Sequence, residues 1–178
     1  MLPWGHAAVG YVCYSLWSRF GKGRAVTNKE FWFLLFATQL PDLVDKTLGW
    51  SLDVLPSGRS LAHSLFTTVL LVFIVSLIGR RADVADLATA FNLGYVSHIL
   101  TDALTVVIRR DTEFLVFLFW PIIQTPYDPG SRTVFGELTQ ALQHGLFTPR
   151  TGIFLLLVFL LWTADGWPGL PANISDFW

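Results

Sequence analysis

The sequence predicts an all-α protein, a polytopic transmembrane helix bundle of about five hydrophobic helices plus one short re-entrant or interfacial segment. Three observations predict it. Of 178 residues, 53% are hydrophobic and only 14% are charged, whereas a soluble domain carries about 25% charge. Mean hydropathy is +0.52, and several uncharged runs approach the ~20 residues that a membrane-crossing helix needs. Tryptophans stand at the ends of several of these runs, where interface anchors belong. Residues 1–178 read as a single integral-membrane helical domain, with no room for a separate soluble module.

Residues 7–20 form the first helix, extended toward Trp4. The start of the chain lacks the positive charge and small-residue cleavage pattern of a secretory signal peptide, so this helix is expected to be retained. Cys13 lies within it as the single cysteine. One thiol excludes an intrachain disulfide and a cysteine-based zinc cluster, and a small packing role is expected. Residues 31–50 form the second helix, flanked by Trp32 and Trp50, about 27 Å apart by helical rise. Pro41 is expected to break or start a helical turn here, leaving carbonyls near Ala37 unpaired and Asp42 at a fresh helix N-terminus.

Residues 61–79 are the cleanest span, stopped by Arg80 and Arg81. Residues 84–108 are long enough to cross with tilt. The stretch 114–123 is too short to span, and Pro121 ends it. Residues 124–150 read as a polar loop with one amphipathic helix around 134–146, and residues 151–167 as a last short helix followed by an irregular tail. Gly10-Tyr11-Val12 and Gly94-Tyr95-Val96 match, but the sequence carries no convincing internal repeat, which weakens a transporter reading.

Arg19, Lys22, Arg24 and Lys29 crowd the first connection, and Arg80 and Arg81 the third. The positive-inside rule makes that side cytoplasmic and places the N-terminus outside. Lys46, Arg59, Arg109 and Arg110 fall on the opposite side, so the asymmetry is modest. The net charge of −1 and the lack of a basic run argue against a nucleic-acid partner.

His6, Asp42, Asp45, His63, His98 and Asp102 lie in or at the ends of these apolar segments. A charge at the centre of a membrane costs roughly 2.5–3.5 kcal/mol on insertion scales, so such groups face a partner, a cavity or an ion. In the predicted topology all six fall in one half of the bilayer. His98 and Asp102 are spaced i, i+4, and Asp42 and Asp45 i, i+3, so each pair shares a helix face. Imidazole with carboxylate and no thiolate suits a divalent metal, zinc first, with manganese or iron as alternatives. Three imidazoles and three carboxylates suffice for one or two ions. Each residue also has an ordinary reading: an interfacial histidine, a helix-end carboxylate, or a His–Asp couple without metal. Ser64 could orient a ligand from behind. Arg59, Arg109 and Arg110 are candidates for binding a lipid phosphate. His144, in the polar loop, is left out of the site.

The ordered set His6, then Pro41-Asp42-Leu43-Val44-Asp45, then Arg59-Ser60-Leu61-Ala62-His63-Ser64, then Ser97-His98-Ile99-Leu100-Thr101-Asp102, then Trp120-Pro121 resembles the YdjM-like inner-membrane metal-dependent hydrolases. The resemblance covers roughly residues 1–125. Gly58 and Ala62 stand where members often carry a His and a Thr. The resemblance implies a membrane-bound hydrolase dependent on a divalent metal. The His/Asp pattern is also distantly similar to that of zinc-dependent phospholipases C, an analogy that suggests a phosphoester.

The expected function is therefore hydrolysis of a phosphoester or related bond in a lipid or lipid-linked substrate. The expected place is the cell (plasma or inner) membrane, with the site on the extracytoplasmic side. Asp42, Asp45 and Asp102 would be the catalytic carboxylates, one of them acting as general base instead of ligand. Two rivals stand beside this reading. A transporter or proton pathway predicts polar residues continuing through the bundle, yet the third helix beyond Thr68 is nearly all apolar. A non-catalytic membrane adaptor predicts a structural metal with a closed coordination sphere.

Overall fold

The computed structural model describes residues 3–125, 139 and 148–170. The amphipathic helix expected around 134–146, most of the 124–150 loop, His144 and the end of the tail lie outside the described residues. Among the described residues the regular structure is helical: α1 (Pro3–Lys22), α2 (Asn28–Lys46), a π-helical turn (Thr47–Ser51), α3 (Leu65–Arg81), α4 (Ala85–Arg109), a 3-10 helix (Thr112–Phe119) and α5 (Pro149–Ala164).

Local chemistry sets the boundaries. Thr27 and Glu30 form a capping box, each side chain bonding the other's backbone N–H, and so fix the start of α2. Ser64 caps α3 by accepting from the Phe66 amide. That cap corrects the expected third helix: residues 61–64 form a turn before it, and His63 precedes the helix instead of riding its first turn. Arg110, in the left-handed region at φ 61°, ends α4. Pro41 does not break α2, which runs on to Lys46. Proline removes one N–H and crowds the preceding turn, and packing against α4 holds the helix together around that defect.

α4 sits centrally, packed on α1, α2, α3 and the 3-10 helix. Short connections and end-to-end ion pairs make α1 and α3 run opposite to α2 and α4. Lys22 and Arg24, at the end of α1 and just past it, reach Asp86 at the start of α4, while His6 near the start of α1 reaches Asp102 near the end of α4. The two matching glycines have a packing role. A Cβ on Gly94 would come within 2.8 Å of the Leu34 carbonyl, and one on Gly10 within 2.5 Å of Thr38 Cγ2. Lacking them, α1 and α4 approach α2 closely, as small residues allow in helix bundles. This tight layer lies just beneath His98.

The outer surface is apolar. On α3 only Thr68 and Gly79 are buried, and Phe66, Val69, Leu70, Phe73, Ile74 and Ile78 face outward. α5 buries no residue. Cys13, expected as a packing residue, is exposed on α1. α4, at 25 residues, is the described helix whose length and composition suffice by themselves for a membrane crossing.

Candidate metal centre

The site forms where the start of α1, the end of α2, the turn before α3 and the last third of α4 meet. Asp45 organises it from α2. Its Oδ2 accepts the backbone amides of Ser60 (2.8 Å) and His63 (3.1 Å), and its Oδ1 that of Ala62 (2.9 Å). One carboxylate thus ties down the turn that carries His63. Tyr95 supports the same turn from α4 by donating its hydroxyl to the Ala62 carbonyl.

The two central histidines are oriented by what lies behind them. His63 Nδ1 is 2.8 Å from Asp45 Oδ2, and His98 Nδ1 is 2.6 Å from the Thr38 carbonyl oxygen. A carbonyl can only accept, and Asp45 as a carboxylate can only accept, so both Nδ1 atoms carry the hydrogen. Each Nε2 is then left with a lone pair. The two Nε2 atoms face each other at 3.2 Å, and neither histidine is exposed. Two lone pairs at that distance repel unless a cation or proton lies between them. The Thr38 carbonyl lies one residue from the turn where Pro41 removes an N–H.

Two carboxylates complete the ring. Asp42 Oδ1 is 3.6 Å from His63 Nε2 and 3.8 Å from His98 Nε2, and Asp102 Oδ2 is 3.7 Å from His63 Nε2. One donor atom from each of Asp42, His63, His98 and Asp102 falls within 4.8 Å of all the others. Ligands about 2.0–2.2 Å from a tetrahedral ion are separated from one another by about 3.3–3.6 Å. The observed separations bracket that edge, so these residues fit a small divalent cation.

Cations flank the carboxylates. Lys46 Nζ is 2.9 Å from Asp42 Oδ2, one helical turn along α2, and also lies over the Trp50 ring. Arg59 Nε is 2.6 Å from Asp102 Oδ2, and the Arg59 side chain is 39% exposed. Phe117 of the 3-10 helix covers the His63 ring edge-on, and Ser64 Oγ donates to the Trp120 carbonyl, fastening that segment over the turn.

The structure brings all six expected residues together but divides their roles. Asp42, His63, His98 and Asp102 present donors to one point. Asp45, expected as a ligand and catalytic carboxylate, stands behind His63 with both oxygens engaged by backbone amides, where it holds the turn that carries His63. His6, also expected as a ligand, stacks on His98 with ring centroids 3.8 Å apart and holds Nε2 3.3 Å from Asp102 Oδ1. Ser64 acts as helix cap and strap. Arg109 and Arg110 are exposed about two turns beyond Asp102. Sequence reasoning missed Lys46 as a partner of Asp42, although the i, i+4 spacing was present, and it had no means of finding the Thr38 carbonyl.

A family model described as YdjM inner membrane protein matches residues 1–168. No curated protein and no solved structure matches the chain.

Proposed function

Because the chain belongs to the YdjM inner membrane protein family, we propose that it is a multi-pass membrane enzyme, a metal-dependent hydrolase of a phosphoester or related bond in a lipid or lipid-linked substrate. The observation that carries this reading is the pair of Nε2 lone pairs, fixed by Asp45 and the Thr38 carbonyl, that face one point together with Asp42 and Asp102. A divalent cation held there, with zinc favoured by the donor set and spacing, would supply Lewis acidity and lower the pKa of a water toward about 7.

The chain's own residues supply the rest. Asp42 and Lys46, with side chains 12% and 13% exposed, and Arg59, 39% exposed, are the open members of the cluster. Among the described residues, three carboxylates (Asp42, Asp45, Asp102) against Lys46 and Arg59 sum to one negative unit with neutral imidazoles. A divalent ion turns it one unit positive, which suits an anionic substrate. Arg59 bonds Asp102 through Nε and is well placed to offer its terminal nitrogens to a phosphate. Arg109 and Arg110 extend the positive charge at the same end.

The lipid assignment rests on the apolar outer surface and on the position of the site at one end of the bundle. α3, about 25 Å long by rise, and α5 belong with α4 as crossing helices in this reading. The basic residues of the α1–α2 and α3–α4 connections then place the site on the extracytoplasmic side of the cell membrane. Many of these basic residues are paired with acidic ones, but acidic partners contribute little to the rule.

Elemental analysis of detergent-purified protein beside His98→Ala tests the metal. Stoichiometric metal in the wild type and its loss in the variant support the reading, and a metal-free wild type ends it. A screen of phosphorylated lipids then tests the activity. A metal-loaded protein inert toward all of them favours a structural metal in an adaptor.

A further inference from the structure

His6 is the buried polar side chain that the four-donor site leaves unexplained. It is 1% exposed, and neither Nδ1 nor Nε2 has a hydrogen-bond partner among the described residues. A neutral imidazole carries one donor and one acceptor, and unmatched groups in a dry interior are costly enough to call for a cause, such as an ion.

Its geometry points to one. His6 Nε2 lies 3.3 Å from Asp102 Oδ1. That contact does not meet hydrogen-bond geometry, yet it matches the edge of about 3.3–3.6 Å between two ligands of a tetrahedral ion. Oδ1 is the Asp102 oxygen beside His6. Oδ2 is the one beside His63 Nε2, at 3.7 Å, and Arg59 Nε, at 2.6 Å. The two oxygens of Asp102 therefore serve two different imidazoles. The His6 and His98 rings are stacked with centroids 3.8 Å apart at 19°, and paired catalytic metals sit about 3.5–4 Å apart.

We infer that His6 Nε2 and Asp102 Oδ1 form a second divalent-cation site, with Asp102 as the carboxylate bridging it to the first. The inference rests on the reading of the four-donor cluster as a metal centre. Two protein donors leave the remaining positions of the second ion to water or to substrate oxygens. It is accordingly the weaker-held of the two and the first removed by a chelator.

The test is a titration of chelator-stripped protein in detergent with Zn²⁺, with bound metal counted by elemental analysis. The wild type is expected to take up two ions per chain in two steps, tight then weak. His6→Ala is expected to keep the tight step and take up one. Saturation of the wild type at one ion overturns the second site while leaving the four-donor site standing. A His6→Ala protein that still binds two overturns it as well. No binding by the wild type at all overturns both readings. If His6→Ala does not fold, the number of steps in the wild type decides alone.

Discussion

Oδ2 of Asp45 lies 2.8 Å from Nδ1 of His63, with both side chains completely buried. The same carboxylate accepts three backbone amides from the turn that carries that histidine. Asp45 therefore sets both the tautomer of His63 and the position of its backbone. Asp45→Asn keeps the shape but replaces one acceptor oxygen by a donor. Losses of this kind cost 10–100-fold in metal affinity. A competition titration of the variant against a chelator is expected to show a drop of that size. Unchanged affinity would assign Asp45 a folding role only.

Arg59 couples the exposed edge of the pocket to Asp102. Removing its charge takes away a competitor for that carboxylate, so Arg59→Gln should bind metal at least as well as the wild type. Lipid-phosphate hydrolysis should nonetheless fall at least about tenfold, since charged contacts to phosphate are strong and directional. Arg59→Lys should not restore it, because lysine lacks the planar fork. Metal content and turnover measured on the same preparation check both halves.

Another buried carboxylate lies far from the candidate metal centre. Asp165, just past α5, accepts from Tyr11 (2.5 Å), Ser15 (2.6 Å) and Arg19 (2.9 Å), and so ties a helix with no buried residue to α1. Removing the positive partner strands a buried charge, which costs roughly 3–5 kcal/mol when both partners are buried. The Arg19 side chain is 35% exposed, so Arg19→Met should lose less than that. Adding Asp165→Asn should recover part of the loss. Unfolding in mild detergent measures both, and metal content should not change.

Topology is open to direct labelling. Leu52 and Arg80 are exposed at opposite ends of the bundle. In a Cys13→Ala background, Leu52→Cys should react with a membrane-impermeant maleimide in intact cells, whereas Arg80→Cys should react only after permeabilisation. The reverse pattern would put the site on the cytoplasmic face.

The sequence by itself determined the helical class, the position of α4 to within one residue at each end, and the four residues, Asp42, His63, His98 and Asp102, whose donor atoms cluster. These were legible because a polar group in an apolar run is costly, so its position is informative before any contact is known. Tertiary structure decided the division of labour. Asp42 and Asp45 have the same chemistry and lie one turn apart. One faces the Nε2 edges of both histidines, and the other faces His63 Nδ1 and amides contributed from 15 to 18 residues further along the chain. Likewise, His98 owes its ligand-ready Nε2 to a carbonyl 60 residues away on α2. Helical periodicity gives the face on which a residue sits, but which oxygen or lone pair remains free depends on partners that only the packed chain brings within hydrogen-bonding distance.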